Sequence, residues 1–176
     1  LYEAISEGVG QSVSALTPIA ELKTIATKLG IKIDPKWITG KLAEEIFEHV
    51  AKDQLIAPTF VMGFPVDTSP LVRAHRDIPG VAEKWDLYVD GFELATGYSE
   101  LIDPVIQRDR LVEQATLGSK GDLEAMQVDE DFLRAMEFGM PPMGGMGMGV
   151  DRLLMALTGL GIRETILFPL VKPEVE

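Results

Sequence analysis

Apolar residues in the first third of the chain follow helical spacing. One set recurs at i, i+3, i+4 and i+7, namely Leu22, Ile25, Ala26 and Leu29. This spacing predicts a helix that starts at Thr17-Pro18 and ends at Gly30. A similar pattern predicts a second helix from about Gly40 to Ala51. Residues 1–56 are therefore expected to form a helical segment.

From residue 57 the pattern becomes that of strands. Thr59 to Phe64 is an apolar run stopped by Pro65, which is typical of a buried strand. The stretches 85–89 and 92–98 flank Asp90-Gly91, a strong signal for a two-residue hairpin.

Further elements are predicted downstream of the hairpin. They are a helix from Asp103-Pro104 to about Leu117, a polar connector at 118–127, a helix capped by Asp129, a strand at 145–149, a helix at 151–158 and a last buried segment at 166–168. This order predicts an α+β fold, an antiparallel β-sheet flanked by helices, in which residues 57–176 share one domain with the helical segment.

Composition and charge exclude several classes of protein. The 176 residues are 46% hydrophobic and 25% charged, which is ordinary for a globular domain. The absence of cysteine excludes disulfides, Cys-ligated zinc and a thiol nucleophile, and fits a reducing compartment. A net charge of -12 argues against a polyanion-binding surface and suits cationic or metal-bound partners. No apolar run reaches the roughly 18 residues of a membrane span.

The hairpin places two carboxylates on one face. With a regular register Tyr88 faces Glu93 and Asp86 faces Ala95, so Asp86 and Glu93 become diagonal neighbours roughly 7–8 Å apart. The opposite face is apolar and comprises Trp85, Leu87, Val89, Phe92 and Leu94. Two carboxylates at this separation suit one divalent cation held alongside substrate phosphates. The alternative, which the pattern alone favours, is a solvated face.

The stretch 145–152 indicates a ligand site. Gly145, Gly147 and Gly149 share one face of a predicted strand, and a bare strand face admits a flat ligand. Arg152 follows at the start of a helix, where a guanidinium meets phosphate or stacks on a base. We prefer this interpretation to tight packing alone. Upstream, Glu100 beside Tyr98 suits a cation, although an exposed strand end is the simpler interpretation.

These motifs resemble those of a known family. Residues 145–153 resemble motif 3 of the class II aminoacyl-tRNA synthetases. Several other stretches resemble lysyl-tRNA synthetase, namely 68–71, 85–88, 92–101, 103–104, 107–108, 139–142 and 163–169. The resemblance implies an antiparallel catalytic sheet, activation of L-lysine with ATP, and transfer of the lysyl group to tRNA-Lys in the cytoplasm by a homodimer.

The resemblance also implies roles for individual residues. Those matching the family's sites are the magnesium- and ATP-binding Asp86 and Glu93, the lysine-binding Thr96, Tyr98, Glu100 and Gly147, the ATP-binding Gly149, and Arg152, which binds ATP and is catalytic. Asp86 replaces a more usual glutamate and Thr96 a more usual asparagine. Because strict alternation forbids Glu93, Thr96, Tyr98 and Glu100 from sharing a face, we predict a bulge between Glu93 and Tyr98.

Other parts of such an enzyme are not recognisable in this sequence. We find no motif 1, no motif 2 and no anticodon-binding barrel, and the chain does not begin with methionine. We therefore expect residues 1–176 to be the C-terminal portion of a class II catalytic domain, inactive by itself. Two alternatives stay open: a paralogue that lysylates a protein or lipid, and a non-catalytic binding or assembly module.

Overall fold

The computed structural model describes residues 1–119 and 125–168. Within them the chain forms helices α1 (Tyr2–Val9), α2 (Ile19–Lys28), α3 (Thr39–Val50), α4 (Pro104–Ser119), α5 (Glu130–Glu137), α6 (Val150–Thr158) and α7 (Ile162–Thr165). The strands are β1 (Thr59–Met62), β2 (Lys84–Val89), β3 (Phe92–Ser99) and β4 (Gly144–Met148).

The strands form one antiparallel sheet in the order β1-β2-β3-β4. The predicted hairpin between β2 and β3 is confirmed. Its turn residues Asp90 and Gly91 have φ angles of 52° and 76°, the left-handed pair that a tight hairpin turn requires. The predicted α+β architecture, an antiparallel sheet with helices, is therefore correct.

The main hydrophobic core joins α1, α2 and α3 to one face of the sheet. Ile5, Leu22, Ile46 and Phe47 are almost completely buried there. The Phe47 ring meets Tyr88 of β2 edge-on, with ring centroids 5.8 Å apart. This core crosses position 56, and the division into segments 1–56 and 57–176 stays a prediction.

A second, smaller cluster holds α4 against α5. Leu111, Leu133 and Met136 are its buried members. The predicted helix starts are confirmed, because Asp103 Oδ1 accepts from the amides of residues 105 and 106, and Asp129 Oδ1 accepts from the amide of residue 132. Side-chain acceptors at these positions satisfy backbone donors that a helix start leaves unpaired.

Several sequence predictions need correction. Helix α1 was not predicted, although Tyr2, Ile5 and Val9 follow helical spacing and Gly10 ends the helix in a left-handed conformation. Helix α2 begins one residue after Pro18, which is its N-cap. Strand β1 ends at Met62 and buries only Val61.

The chain after α7 also differs from expectation. Residues 166–168 were predicted to be buried, but Leu167 and Phe168 are about nine-tenths exposed, at 89% and 92%. Of the predicted polar connector, residues 118 and 119 belong to α4 and 120–124 lie outside the described residues, as does Pro169. Among the described residues, no helix has the length and apolar character needed to cross a membrane.

Candidate functional site

A β-bulge in β3 sets the arrangement of the site. Tyr88 pairs with Glu93, whereas Leu87 pairs with Ala95, so Leu94 is an extra residue without a partner on β2. The regular register predicted beyond Tyr88 is therefore wrong, and Asp86 faces Thr96 instead of Ala95. The bulge predicted between Glu93 and Tyr98 is confirmed. Because it shifts the alternation by one residue, Glu93 and Thr96 reach the same face.

Three rows of side chains cross that face, which we call the site face. Paired residues place Lys84, Tyr98 and Gly145 in the first row, Asp86, Thr96 and Gly147 in the second, and Tyr88 with Glu93 in the third. Rows two residues apart along a strand lie roughly 7 Å apart. The site face therefore carries an acidic end at Glu93 and an opposite end at Tyr98.

The site face is not the solvated surface that the pattern alone favoured. Asp86 is 3% exposed and Tyr88 is 6% exposed, and Tyr88 packs in the helical core. The opposite, more apolar face is the more open one, since Phe60 and Met62 on β1 are 60% and 65% exposed. Burial of a carboxylate is costly unless a partner compensates its charge, so the position of Asp86 calls for a cation.

Asp86 has such a partner on one oxygen only. Lys84 Nζ lies 3.1 Å from Asp86 Oδ2, and the ammonium also sits 4.0 Å from the centre of the Phe64 ring. Asp86 Oδ1 is buried and receives no hydrogen bond from any residue that the structure describes. A hard divalent cation is the natural partner of an unpaired carboxylate oxygen.

Glu100 lies at the other end of the site face. A Cβ built on Gly145 would come within 3.2 Å of Glu100 Oε1, so this glycine leaves room for the carboxylate. Burial raises the pKa of Glu100 above its usual range. Burial, followed by the charge of Glu100, also raises the pKa of Tyr98. The end of the site face is thus a carboxylate beside an aromatic ring, the combination that receives an ammonium.

Gly147 leaves the middle of the site face bare. A Cβ built on this residue would meet no heavy atom of residues 1–119 or 125–168 within 4 Å. Thr96 lies directly opposite on β3, and its hydroxyl donates at 3.5 Å to the carbonyl of Trp85. The space in front of Gly147 is therefore open to a ligand and is not filled by strand-on-helix packing.

Arg152 joins the acidic end from helix α6. Its Nη1 donates to the Glu93 carbonyl oxygen at 2.6 Å and lies 3.8 Å from Glu93 Oε1. Gly149 is the N-cap of α6, and its amide donates to the carbonyl of Leu94 at the bulge. The bulge thus also positions the start of α6, and with it the guanidinium.

All eight predicted site residues therefore lie on or beside one face of the sheet, with Gly149 at its margin. A cavity of about 910 Å³ opens at the Tyr98 end, and Tyr98 is the one predicted residue in its lining. We define the site by strand register and contacts, because the cavity reaches across the sheet edge to α1. Within the described residues no group of three or more His, Cys, Asp or Glu side chains is placed to hold a metal, so any metal here relies on Asp86, Glu93 and substrate oxygens.

Sequence reasoning missed Lys84. It lies two residues before Asp86 on β2 and so shares its face. The spacing of two residues along a strand indicates that Lys84 and Asp86 share a face. Because that face was expected to be solvated, no partner for Asp86 was sought there.

Together, the antiparallel sheet, its glycine-rich last strand and the arginine at the start of α6 define the class of protein. The chain belongs to the class II tRNA synthetases of the D, K and N type, whose family model matches residues 13–172.

Individual relatives are more specific. The chain is 66% identical over 174 residues to "Lysine--tRNA ligase" of Kineococcus radiotolerans and 59% identical over 174 residues to that of Mycolicibacterium gilvum. Both matches cover 98% of this chain and 35% of the relative. It is also 51% identical over 173 residues to "Lysylphosphatidylglycerol biosynthesis bifunctional protein LysX" of Gordonia bronchialis, covering 98% of this chain and 15% of that protein. The chain thus spans about a third of the length of the ligases it matches.

Proposed function

We propose that the protein to which this chain belongs is a lysine-tRNA ligase. The observation that carries the proposal is the site face itself, which has a carboxylate for an ammonium at one end, a second carboxylate in its middle row, and a third with an arginine at the other end. The names of the two ligase relatives support the same amino acid. A cationic side chain suits Glu100, whereas an anionic substrate would be repelled by it.

The reaction would proceed in two displacement steps. The carboxylate of lysine attacks the α-phosphorus of ATP, a P–O bond forms, the bond to the β-phosphate breaks, and pyrophosphate leaves. A hydroxyl of the terminal ribose of tRNA-Lys then attacks the lysyl carbonyl, and AMP leaves with the bonding electrons.

Residues of this chain serve those steps by position and charge. Glu100 and Tyr98 hold the side-chain ammonium, Thr96 and Gly147 border the amino acid, and Gly149 borders the nucleotide. Arg152 offers a positive charge to phosphate oxygens that gain charge in the first step, the usual role of a guanidinium in phosphoryl chemistry.

Magnesium fits the acidic end. Asp86 Oδ1 is buried and unpaired among the described residues, and Glu93 lies on the adjacent row. When bound, the ion would neutralise phosphate charge and so favour departure of pyrophosphate. Asp86 and Glu93 would hold it together with phosphate oxygens, as is common for magnesium at nucleotide sites.

We further propose that the 176-residue chain is inactive alone and that the whole enzyme is a cytoplasmic homodimer. The chain contains no recognisable arginine motif for the α-phosphate, and catalysis of this kind depends on a complete set of positioned charges. The cytoplasm is where tRNA is aminoacylated for protein synthesis.

A second candidate is a paralogue that transfers lysine to a lipid. It is favoured by the relative whose name refers to lysylphosphatidylglycerol synthesis. Lysine activation is common to both candidates, so only the acceptor separates them.

The deciding experiment supplies the whole protein with ATP, radiolabelled lysine and either tRNA or phosphatidylglycerol vesicles. A ligase makes acid-precipitable lysyl-tRNA and leaves the lipid unlabelled when no other enzyme is present. Label in the lipid without label in tRNA would favour the paralogue. A non-catalytic module would label neither acceptor.

A further inference from the structure

Lys84, which pairs with Asp86, has no role in the function proposed above. Lys84 is on β2 at the Tyr98 end of the site face, and its side chain is 22% exposed, compared with 4% for Asp86. The pair is therefore well shielded from water. A shielded ion pair keeps its geometry more persistently than one on an open surface.

Lys84 is itself held in place from two sides. Its ammonium lies 4.0 Å from the centre of the Phe64 ring and 3.1 Å from Asp86 Oδ2. Glu44 is a further negative group near Lys84. Burial raises the pKa of Glu44, and the charge of Lys84 opposes that rise. The ammonium is thus fixed over one specific oxygen of Asp86.

The two oxygens of Asp86 are consequently not equivalent. Oδ2 is engaged by Lys84, whereas Oδ1 is buried with no hydrogen-bond partner among the described residues. A cation that approaches Asp86 meets one free oxygen, and bidentate coordination would require Lys84 to leave.

We propose that Lys84 is a positioning residue that restricts Asp86 to coordination through Oδ1 and so favours magnesium over calcium. The proposal rests on the proposed function, because it takes Asp86 as a ligand of the nucleotide-bound cation. Magnesium takes a near-octahedral shell with few protein ligands, whereas calcium takes six to eight oxygens and readily accepts both oxygens of a carboxylate. Engaging one oxygen therefore penalises calcium more than magnesium.

The charge of Lys84 affects both divalent cations alike. A nearby ammonium offsets part of the charge of Asp86 and Glu93 and lowers the attraction for every divalent cation. The discriminating quantity is therefore the ratio of the calcium and magnesium affinities, which a uniform loss of attraction does not change.

The test measures Mn²⁺ binding to the whole protein with a non-hydrolysable ATP analogue bound, by electron paramagnetic resonance, with Mg²⁺ and Ca²⁺ as competitors. Lys84→Met frees Oδ2, and we expect the Ca²⁺/Mg²⁺ affinity ratio to rise by about tenfold, the lower end of the range for removing a partner of a metal ligand. Lys84→Arg keeps a cation beside Oδ2 and should restore the original ratio. Lys52→Met, which removes a lysine from a helix-surface pair with Glu48, controls for loss of charge alone.

Asp86→Asn separates this inference from the proposed function. If Asp86→Asn abolishes Mn²⁺ binding and Lys84→Met leaves the ratio unchanged, the role of Lys84 is overturned while the metal assignment stands. If Asp86→Asn binds Mn²⁺ like the unsubstituted protein, or if the unsubstituted protein with the ATP analogue binds none, the metal assignment falls and the role of Lys84 with it. Circular dichroism of each variant shows that a change in binding does not come from unfolding.

Discussion

Glu100 is the side chain that we propose to recognise the ammonium of the amino acid. It shares the end of the site face with Tyr98, and Gly145 leaves space for its carboxylate. No sequence pattern distinguishes this position from an exposed strand end. The distinction comes from burial and from the bare glycine across the strand, both of which depend on how three strands meet.

Glu100→Gln tests this role. The substitution keeps the shape and removes the charge that meets the lysine ammonium, so the KM for lysine in the whole enzyme should rise roughly 10- to 100-fold, the usual loss for a charge-assisted hydrogen bond. The KM for ATP should stay within about twofold. Steady-state kinetics measure both, and Glu7→Gln on the exposed side of α1 is the matched control. An equal rise in both KM values would contradict the assignment.

The pH dependence of lysine use provides a second test of Glu100. Because burial raises the pKa of Glu100, its charge is lost at a higher pH than that of an ordinary glutamate as the solution is acidified. The kcat/KM for lysine should therefore fall on acidification, starting above the ordinary glutamate range. In Glu100→Gln this dependence should disappear, and a pH profile that is identical in both enzymes would contradict the prediction.

A substitution at Gly147 distinguishes a glycine that leaves space for a ligand from one that is needed for packing. A methyl group there would touch none of the residues that the structure describes, so Gly147→Ala should change the free energy of unfolding by less than about 0.5 kcal/mol. The same methyl group would enter the space in front of the strand and should raise the KM of lysine or ATP at least tenfold. Urea unfolding and kinetics report the two effects. Strong destabilisation without a kinetic effect would show that the glycine serves packing.

At the scale of elements, local sequence signals predicted the turns and helix ends well. They did not predict which elements pack against each other. The Asp90-Gly91 turn, the caps at Asp103 and Asp129 and the helix near residues 40–51 are encoded within a few residues, and all are present. The bulge at Leu94 was predicted from the family resemblance. The alternation of side chains along the strand did not indicate it. Which face of the sheet the helices cover depends on contacts far apart in the chain, so the burial of Asp86 could not be predicted. The spacing of Lys84 from Asp86 places both on one face, but without that burial it does not mark Lys84 as a partner.

Helix α3 carries Glu44, whose charged form is disfavoured by burial. Burial raises the pKa of Glu44, although Thr68 Oγ1 donates to its Oε1 at 2.7 Å and opposes the shift. A raised pKa in the folded state means that stability is greatest below the ordinary pKa and is lost as the pH rises through the raised value. Glu44→Gln, which can still accept from Thr68, should therefore stabilise the chain at pH 7 and have no such benefit near pH 4. Urea unfolding at both pH values measures this, and destabilisation at pH 7 would contradict it.

At the scale of the whole molecule, the site face is one part of a larger catalytic arrangement. The chain spans about a third of the length of its ligase relatives, and we propose that it supplies the amino-acid and metal ends of the site. The acidic net charge of -12 fits the proposal that this part receives a cationic amino acid and a divalent metal. The chain alone should show no lysine-dependent exchange of pyrophosphate into ATP.

The most direct test of the account is amino-acid-dependent pyrophosphate exchange by the whole protein. We expect exchange with lysine, little with arginine, and none with aspartate or asparagine, because Glu100 requires a cationic side chain of suitable length. Lysine exchange should require a divalent cation and should fall in Glu100→Gln. Exchange driven by aspartate or asparagine, or lysine exchange that is unaffected by Glu100→Gln, would contradict the assignment of the site face.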